Sequence, residues 1–380
     1  MLMVIFSPLA IDIFLPALPT MANDLATTLT TMQWSISIFL LSMGIGQLFT
    51  GPLADKYGRK PVALFGVAIY GLAALFSVYA NTIELHLLAR LGQGFGTCAI
   101  VVAAFSIVRD KFDPIQSGIM YSYLNGVICC IPALAPILGG WLSQAYGWHS
   151  NFIFMLGYAV IAGILIFCLL KESNRANNKE QINPFAISRY RSIIVNSAFQ
   201  FHSALVMLSM AVIIAYVSSS PAWLMVNLEL TQNDFIFWFS LNAIINIIAC
   251  VTAPKVLIKY GASRTITTGM ITLVSGGVMM LVLQTWQTAF TFMFPVMFSS
   301  IGFSLVMGTC AGQALAPFGD KAGTASALLG FIQMSGSAVI VGLVQLLLIT
   351  LSEQIALLML SILPLLVIWL MPGAKKVICP

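Results

Sequence analysis

Twelve stretches of this 380-residue chain stay apolar for about as long as a helix needs to cross a bilayer, roughly 20 residues. They fall at about 1–18, 34–53, 62–80, 85–108, 117–139, 151–170, 193–216, 235–254, 265–284, 289–312, 323–349 and 352–371. The apolar residues run continuously instead of alternating, so helices fit and an outer-membrane barrel does not. Charge is scarce as well: charged residues make up 8% of the chain, against about 25% in soluble domains. So few charges could not cover a soluble surface of this size. An ordinary soluble enzyme, a disordered chain and a nucleic-acid-binding domain are excluded, and the expected fold class is an all-α membrane protein with 12 transmembrane helices. The first run lacks the basic start and small-residue cleavage site of a signal peptide, and it contains Asp12. The chain begins almost inside this run, which leaves open a true N-terminus further upstream.

The placement of the charges orients the spans. Of 17 Lys and Arg residues, sixteen fall in alternate loops and the tail, among them Lys56, Arg59, Lys60, Arg109, Lys111 and the cluster from Lys171 to Arg191. The opposite loops hold only acids: Asp24, Glu84, Glu229, Asp234 and Glu353. The positive-inside rule then predicts that both termini are cytoplasmic. The net charge of +5 reflects orientation and calls for no nucleic-acid partner. Two charges remain within spans, Asp12 in the first and Arg90 in the fourth. At ~1.5 Å per residue each sits roughly 8–9 Å from the outer end of its span. Intramembrane charges usually face a cavity or a partner, so both are candidate functional residues. No cysteine lies in an outer loop, which argues against a disulfide framework. With three scattered histidines and no acid–histidine cluster, no metal site and no cofactor are expected.

The chain divides into two halves. Residues 1–170 form an expected six-helix bundle, 171–192 a hydrophilic cytoplasmic linker, and 193–380 a second six-helix bundle. Lys56-Tyr57-Gly58 after span two recurs as Lys259-Tyr260-Gly261 after span eight, each with a basic residue just beyond. A six-plus-six repeat with parallel halves is a known transporter plan, with the substrate site between the halves near mid-membrane.

Several motifs resemble one family. Gly51-Pro52-Leu53-Ala54-Asp55-Lys56-Tyr57-Gly58-Arg59-Lys60 is similar to the G-x-L-a-D-r-x-G-r-k loop signature of the major facilitator superfamily. Arg90-Leu91-Gly92-Gln93-Gly94 resembles the R-x-x-Q-G pattern of its proton-coupled members. Ala135-Pro136-Ile137-Leu138-Gly139-Gly140 resembles the antiporter signature G-P-x-x-G-G, with Ala135 in place of its first glycine. The stretches Asp12–Pro19 and Ala322–Gly330 are similar to the Bcr/CflA (bicyclomycin/chloramphenicol-resistance) branch of drug:proton antiporters. The resemblance covers essentially the whole chain. It implies a multi-pass inner-membrane efflux antiporter that exchanges protons for small amphipathic, drug-like substrates by alternating access. A monomer within the bilayer is the expected state, although the sequence does not name the oligomeric state. A transporter of one small metabolite, such as an amino acid or sugar, is the alternative, and a receptor or scaffold on the same fold is a more distant one. No nucleophile–base arrangement or nucleotide loop is visible, so an enzyme is not expected.

The residues themselves suggest roles. A carboxyl exposed alternately to each side can take up a proton on one and release it on the other, so Asp12 is the candidate coupling group. Arg90 keeps its charge. It could hold Asp12 ionised, or bond Gln93 and backbone carbonyls and hold its helix in place. Pro132, Pro136, Gly139 and Gly140 would bend span five and let it pack closely. Gly51, Asp55, Gly58, Arg59 and Arg109 form a candidate cytoplasmic gate. The resemblance implies that Asp55 docks at the start of span eleven, a role that Ile258 could not repeat in the second half. Gln93, Asn125, Gln200, His202, Asn242, Asn246 and Gln333 are the polar candidates for a substrate cavity.

Overall fold

The computed structural model describes residues 1–172, 188–318 and 322–371. Its helices are α1 (Leu2–Asp12), α2 (Leu18–Asp24), α3 (Leu29–Tyr57), α4 (Arg59–Val78), α5 (Ile83–Lys111), α6 (Pro114–Tyr146), α7 (His149–Leu169) and α8 (Ser188–Ile194). They continue with α9 (Ser197–Pro221), α10 (Gln232–Leu283), α11 (Ala289–Leu315), α12 (Ala322–Phe331), α13 (Ser337–Gln345), α14 (Leu351–Leu360) and α15 (Leu363–Leu370). Among the described residues 11 helical stretches are long and apolar enough to cross a membrane. The stretch Gln232–Trp286 has 55 residues, several times what one crossing needs. It breaks at Gly261, where φ is +78°, and so supplies two spans, which makes twelve.

The helices overrun the expected spans. The first ends at Asp24 instead of residue 18, and the second runs from Leu29 to Tyr57 instead of 34–53. Hydropathy marks only the hydrocarbon-embedded part, whereas a helix continues to its cap. The caps are regular: Thr28, Thr82, Thr231, Thr288 and Thr350 each accept a hydrogen bond from the backbone N–H three residues on. Each such cap contributes about 1 kcal/mol to a helix start.

The chain forms two units, Met1–Ala186 and Ile187–Pro380. The expected linker, 171–192, lies largely outside the described residues. In the first unit α4 and α5 cross where Gly66 meets Gly96. A methyl built on Gly66 would lie 2.7 Å from the Gly96 carbonyl oxygen, and one on Gly96 would lie 2.6 Å from that of Gly66. The second unit repeats the device. A methyl on Gly302 would lie 2.7 Å from the Gly269 carbonyl, and one on Gly269 would lie 3.0 Å from that of Gly302. Helices without a hydrophobic drive between them approach through such small residues.

These features recur at two closely similar spacings. Thr28 and Thr231, Gly58 and Gly261, and Gly66 and Gly269 are all 203 residues apart. Thr82 and Thr288, and Gly96 and Gly302, are 206 apart. Gly58 and Gly261 also share a conformation, with φ +101° and ψ 157° against φ +78° and ψ 165°. The repeat read from three residues therefore extends through three spans of each unit.

Candidate functional site

Asp12 is placed by a helix break. Pro16 has no N–H for the carbonyl of Asp12, and its ring crowds that carbonyl. Accordingly α1 ends at Asp12, a short 3-10 turn covers Leu15–Ala17, and α2 restarts at Leu18. Asp12 is buried at this break. Gly139 of α6 sits directly on it: a methyl there would overlap the backbone carbonyl of Ile13. The antiporter-like stretch is thus fitted to the residue next to Asp12. Both Pro132 and Pro136 lie within the continuous helix α6, and Pro136, Gly139 and Gly140 are buried.

Arg90 is fully buried on α5. Its Nη1 donates to Oε1 of Gln93 at 2.5 Å, and its Nε donates to the Ser35 carbonyl of α3 at 3.2 Å. The guanidinium also lies over two rings, 4.8 Å from the centroid of Phe14 and 4.7 Å from that of Phe39. Such contacts add about 0.5–2 kcal/mol each, more where water is excluded. No ion pair between Arg90 and Asp12 occurs among the described residues. Of the two roles open to Arg90, the observed geometry is the one that bonds Gln93 and a backbone carbonyl. Phe14, two residues beyond Asp12, links the two sites.

The cytoplasmic-gate candidates gather at the far end of the same helices. Arg59 pairs with Asp55 at 2.5 Å and with Asp110 at 2.9 Å, and Arg109 stands 3.9 Å from Asp110. Glu172 accepts hydrogen bonds from the backbone N–H groups of Arg59 and Lys60 at 2.9 and 3.0 Å, capping α4. In return Lys60 donates from Nζ to the Phe167 carbonyl near the end of α7, at 2.7 Å. Gly58 turns the chain into this cluster with a positive φ that side chains rarely adopt. Gly51 lies on α3 in open space. Sequence reasoning missed Asp110 and Glu172, whose signal was only their position beside basic residues at the ends of spans.

Each cavity candidate is described within its own unit. Gln93 belongs to the Arg90 site. Asn125 is exposed, and Gln200 donates to the Ile194 carbonyl at the end of α8. His202 is buried beside the rings of Phe201 and Trp369. Asn242 and Asn246 accept from Ser300 and Ser304 at 2.9 and 3.2 Å, with Cys250 as the next rung, and so join α10 to α11. Gln333 lies in a π-helical turn, Ile332–Gly336, where its carbonyl accepts from the Ser337 hydroxyl.

These features agree with comparisons to known proteins. The chain is 32% identical over 342 residues to the multidrug resistance protein MdtL of Salmonella paratyphi A, covering 88% of this chain and 84% of that protein. It is 32% identical over 336 residues to MdtL of Klebsiella pneumoniae, with the same coverage. Among solved structures, a D-xylose–proton symporter aligns with a TM-score of 0.81 at 13% identity, over 98% of this chain and 97% of that one. The human organic anion transporter MFSD10 aligns with a TM-score of 0.63 at 16% identity, over 96% and 97%. At such identities the two structures speak for the fold alone. The Major Facilitator Superfamily matches residues 1–341. With the twelve-helix fold, the loop signature and relatives across nearly its whole length, the chain belongs to the Major Facilitator Superfamily.

Proposed function

We propose that this protein is a multidrug efflux transporter of the inner membrane that exchanges small drug-like molecules for protons by alternating access. The observation that carries the coupling role is Asp12: a buried carboxyl at a proline-made helix break, seated against Gly139 of the antiporter-like stretch. The relatives named for multidrug resistance support the substrate class. Asp12 takes up and releases the proton. Arg90, held by Gln93, Ser35 and the Phe14 and Phe39 rings, fixes the shape of the neighbouring layer. The Asp55–Arg59–Asp110 cluster with Arg109 belongs to the cytoplasmic gate. Both termini face the cytoplasm, and the protein belongs to the Bcr/CflA branch, acting as a monomer.

The test is a drug-susceptibility panel in an efflux-deficient host, with wild type and Asp12→Asn side by side. Resistance conferred by the wild type and lost in Asp12→Asn is expected. Resistance retained by Asp12→Asn removes Asp12 from the coupling role. A wild type that protects against no compound favours the transporter of a single metabolite.

A further inference from the structure

The segment from Asp12 to Asp24 is held at both ends and in the middle. At its start the Ile13 carbonyl is seated on Gly139 of α6. At its far end Asp24 accepts a hydrogen bond of 2.8 Å from Nε1 of Trp148, the residue that precedes α7. Between these points lies the fully buried ring of Phe14, 4.8 Å from the Arg90 guanidinium and 5.8 Å from the ring of Phe152 on α7. Phe39 makes the matching contact with Arg90 at 4.7 Å, but the two rings stand on different footings. Phe39 is in the interior of the 29-residue helix α3. Phe14 stands between α1 and α2, at the entrance to the 3-10 turn Leu15–Ala17, and belongs to no α-helix. The titratable and charged groups around this break are Asp12 itself, Tyr70 on α4, His86 and Arg90 on α5, and His149 and Tyr158 on α7. Arg90 is the one that the Phe14 ring covers.

We propose that Phe14 is a positioning residue that reports the charge of Asp12 to Arg90: its ring covers the guanidinium while Asp12 is protonated and draws away when the carboxylate is ionised. Asp12 is the last residue of α1, and the carbonyls at a helix C-terminus carry partial negative charge. They repel a carboxylate and tolerate a neutral acid, so the end of α1 changes with the proton. Pro16 denies the Asp12 carbonyl its helical donor, which makes the turn that follows the compliant part of the span. With Asp24 tied to Trp148, the change is taken up at the Phe14 end of the segment. A ring face attracts a cation through its quadrupole, most strongly where water is excluded. The contact couples the two residues because it differs between the two states of Asp12. No proton passes through the ring; what it transmits is a change of position. Phe39, fixed on α3, supplies the constant part of the hold on Arg90. This inference rests on the coupling role of Asp12 proposed above.

Two measurements on the full chain test it separately from that reading. The first follows the side-chain Nε–H resonance of Arg90 by ¹⁵N-arginine NMR in nanodiscs, assigned through Arg90→Lys. Asp12→Asn, which holds position 12 neutral, is expected to shift this resonance. With trifluorophenylalanine at position 14, which keeps the shape of the ring and cancels most of its quadrupole, that shift should shrink at least about twofold. A resonance that Asp12→Asn leaves in place, or a shift of undiminished size with the fluorinated ring, overturns the proposal. The second uses proteoliposomes and ethidium as the probe, with one, two or three fluorines on the ring at position 14. Proton-driven ethidium export is expected to fall with each fluorine, to ~10-fold below wild type with three. The same series at Phe152, whose contact with Phe14 is ring to ring, should stay within about twofold of wild type. A flat series at Phe14, or equal falls at both positions, overturns the positioning role. If the wild type itself moves no protons with ethidium, the efflux reading fails for this probe, and the NMR result still decides the role of Phe14.

Discussion

The two units share a skeleton and differ in what hangs on it. Thr28, Gly58, Gly66, Thr82 and Gly96 of the first have counterparts in Thr231, Gly261, Gly269, Thr288 and Gly302 of the second, with the same caps, turns and crossings. Carrying the same spacing across the fourth and tenth spans sets His86 against Phe292, Arg90 against Val296 and Gln93 against Ser299. At the start of the repeat Ile258 stands at the position corresponding to Asp55, and Ala262 at that of Arg59. Pro16 breaks the first span four residues after Asp12, while Pro221 closes α9 four residues after Val217. At these paired positions the charged residues lie in the first unit. Where the second unit has polar residues at corresponding places, they brace helices: Asn242 and Ser300 hold each other where the first unit has Phe39 and Gly94 in direct backbone contact. Backbone devices are common to both halves because both must pack in lipid.

The largest test of this asymmetry is Arg90→Lys against Val296→Ala. Arg90→Lys keeps the charge but loses the planar fork that reaches Gln93, Ser35 and two rings together, and proton-driven export should fall by ~100-fold or more in vesicles. Val296→Ala should cost about 1–2 kcal/mol of stability and leave export nearly intact. Comparable losses of export in both would end the distinction between the units. Next comes Gly139→Val, which drives a side chain into the backbone beside Asp12. Both export, by at least ~10-fold, and stability in detergent should fall, whereas Gly308→Val, at a site with nothing near it, should be close to silent. The shared skeleton is probed by Gly66→Ala and Gly269→Ala. Each should lower stability in detergent by about 1–3 kcal/mol, and a response in only one unit would show that the crossings are not equivalent. The smallest effect is expected from Ser300→Ala, about 0.6 kcal/mol, since hydrogen bonds between membrane helices contribute little on average.

Much of this architecture is legible in the amino-acid sequence. Span number follows from hydropathy because lipid forces every backbone group into a helix. The repeat itself was visible in Lys56-Tyr57-Gly58 and Lys259-Tyr260-Gly261, although not the positive φ that the two glycines share. Other features were not legible, for one physical reason: they join residues far apart in sequence. Nothing local in Gly66 announces that it meets Gly96, and nothing in Glu172 announces that it caps α4. Arg90 was readable as important, but its partners depend on how α1, α3 and α5 meet. Asn242 and Asn246 looked like cavity residues because composition cannot tell an asparagine that faces a substrate from one that faces a serine on the next helix.

Glu172 and Lys60 carry one more implication. Each stands at the end of one helix and completes the end of the other, so α4 and α7 are closed crosswise. The distance from Leu169, where α7 stops, to the carboxylate that caps α4 is therefore fixed to within a hydrogen bond. One residue inserted at 170 or 171 would carry Glu172 up to ~3.5 Å out of reach. Connecting segments ordinarily tolerate changes of length. This one should not, and the first three positions after α7 act as a ruler, not as slack.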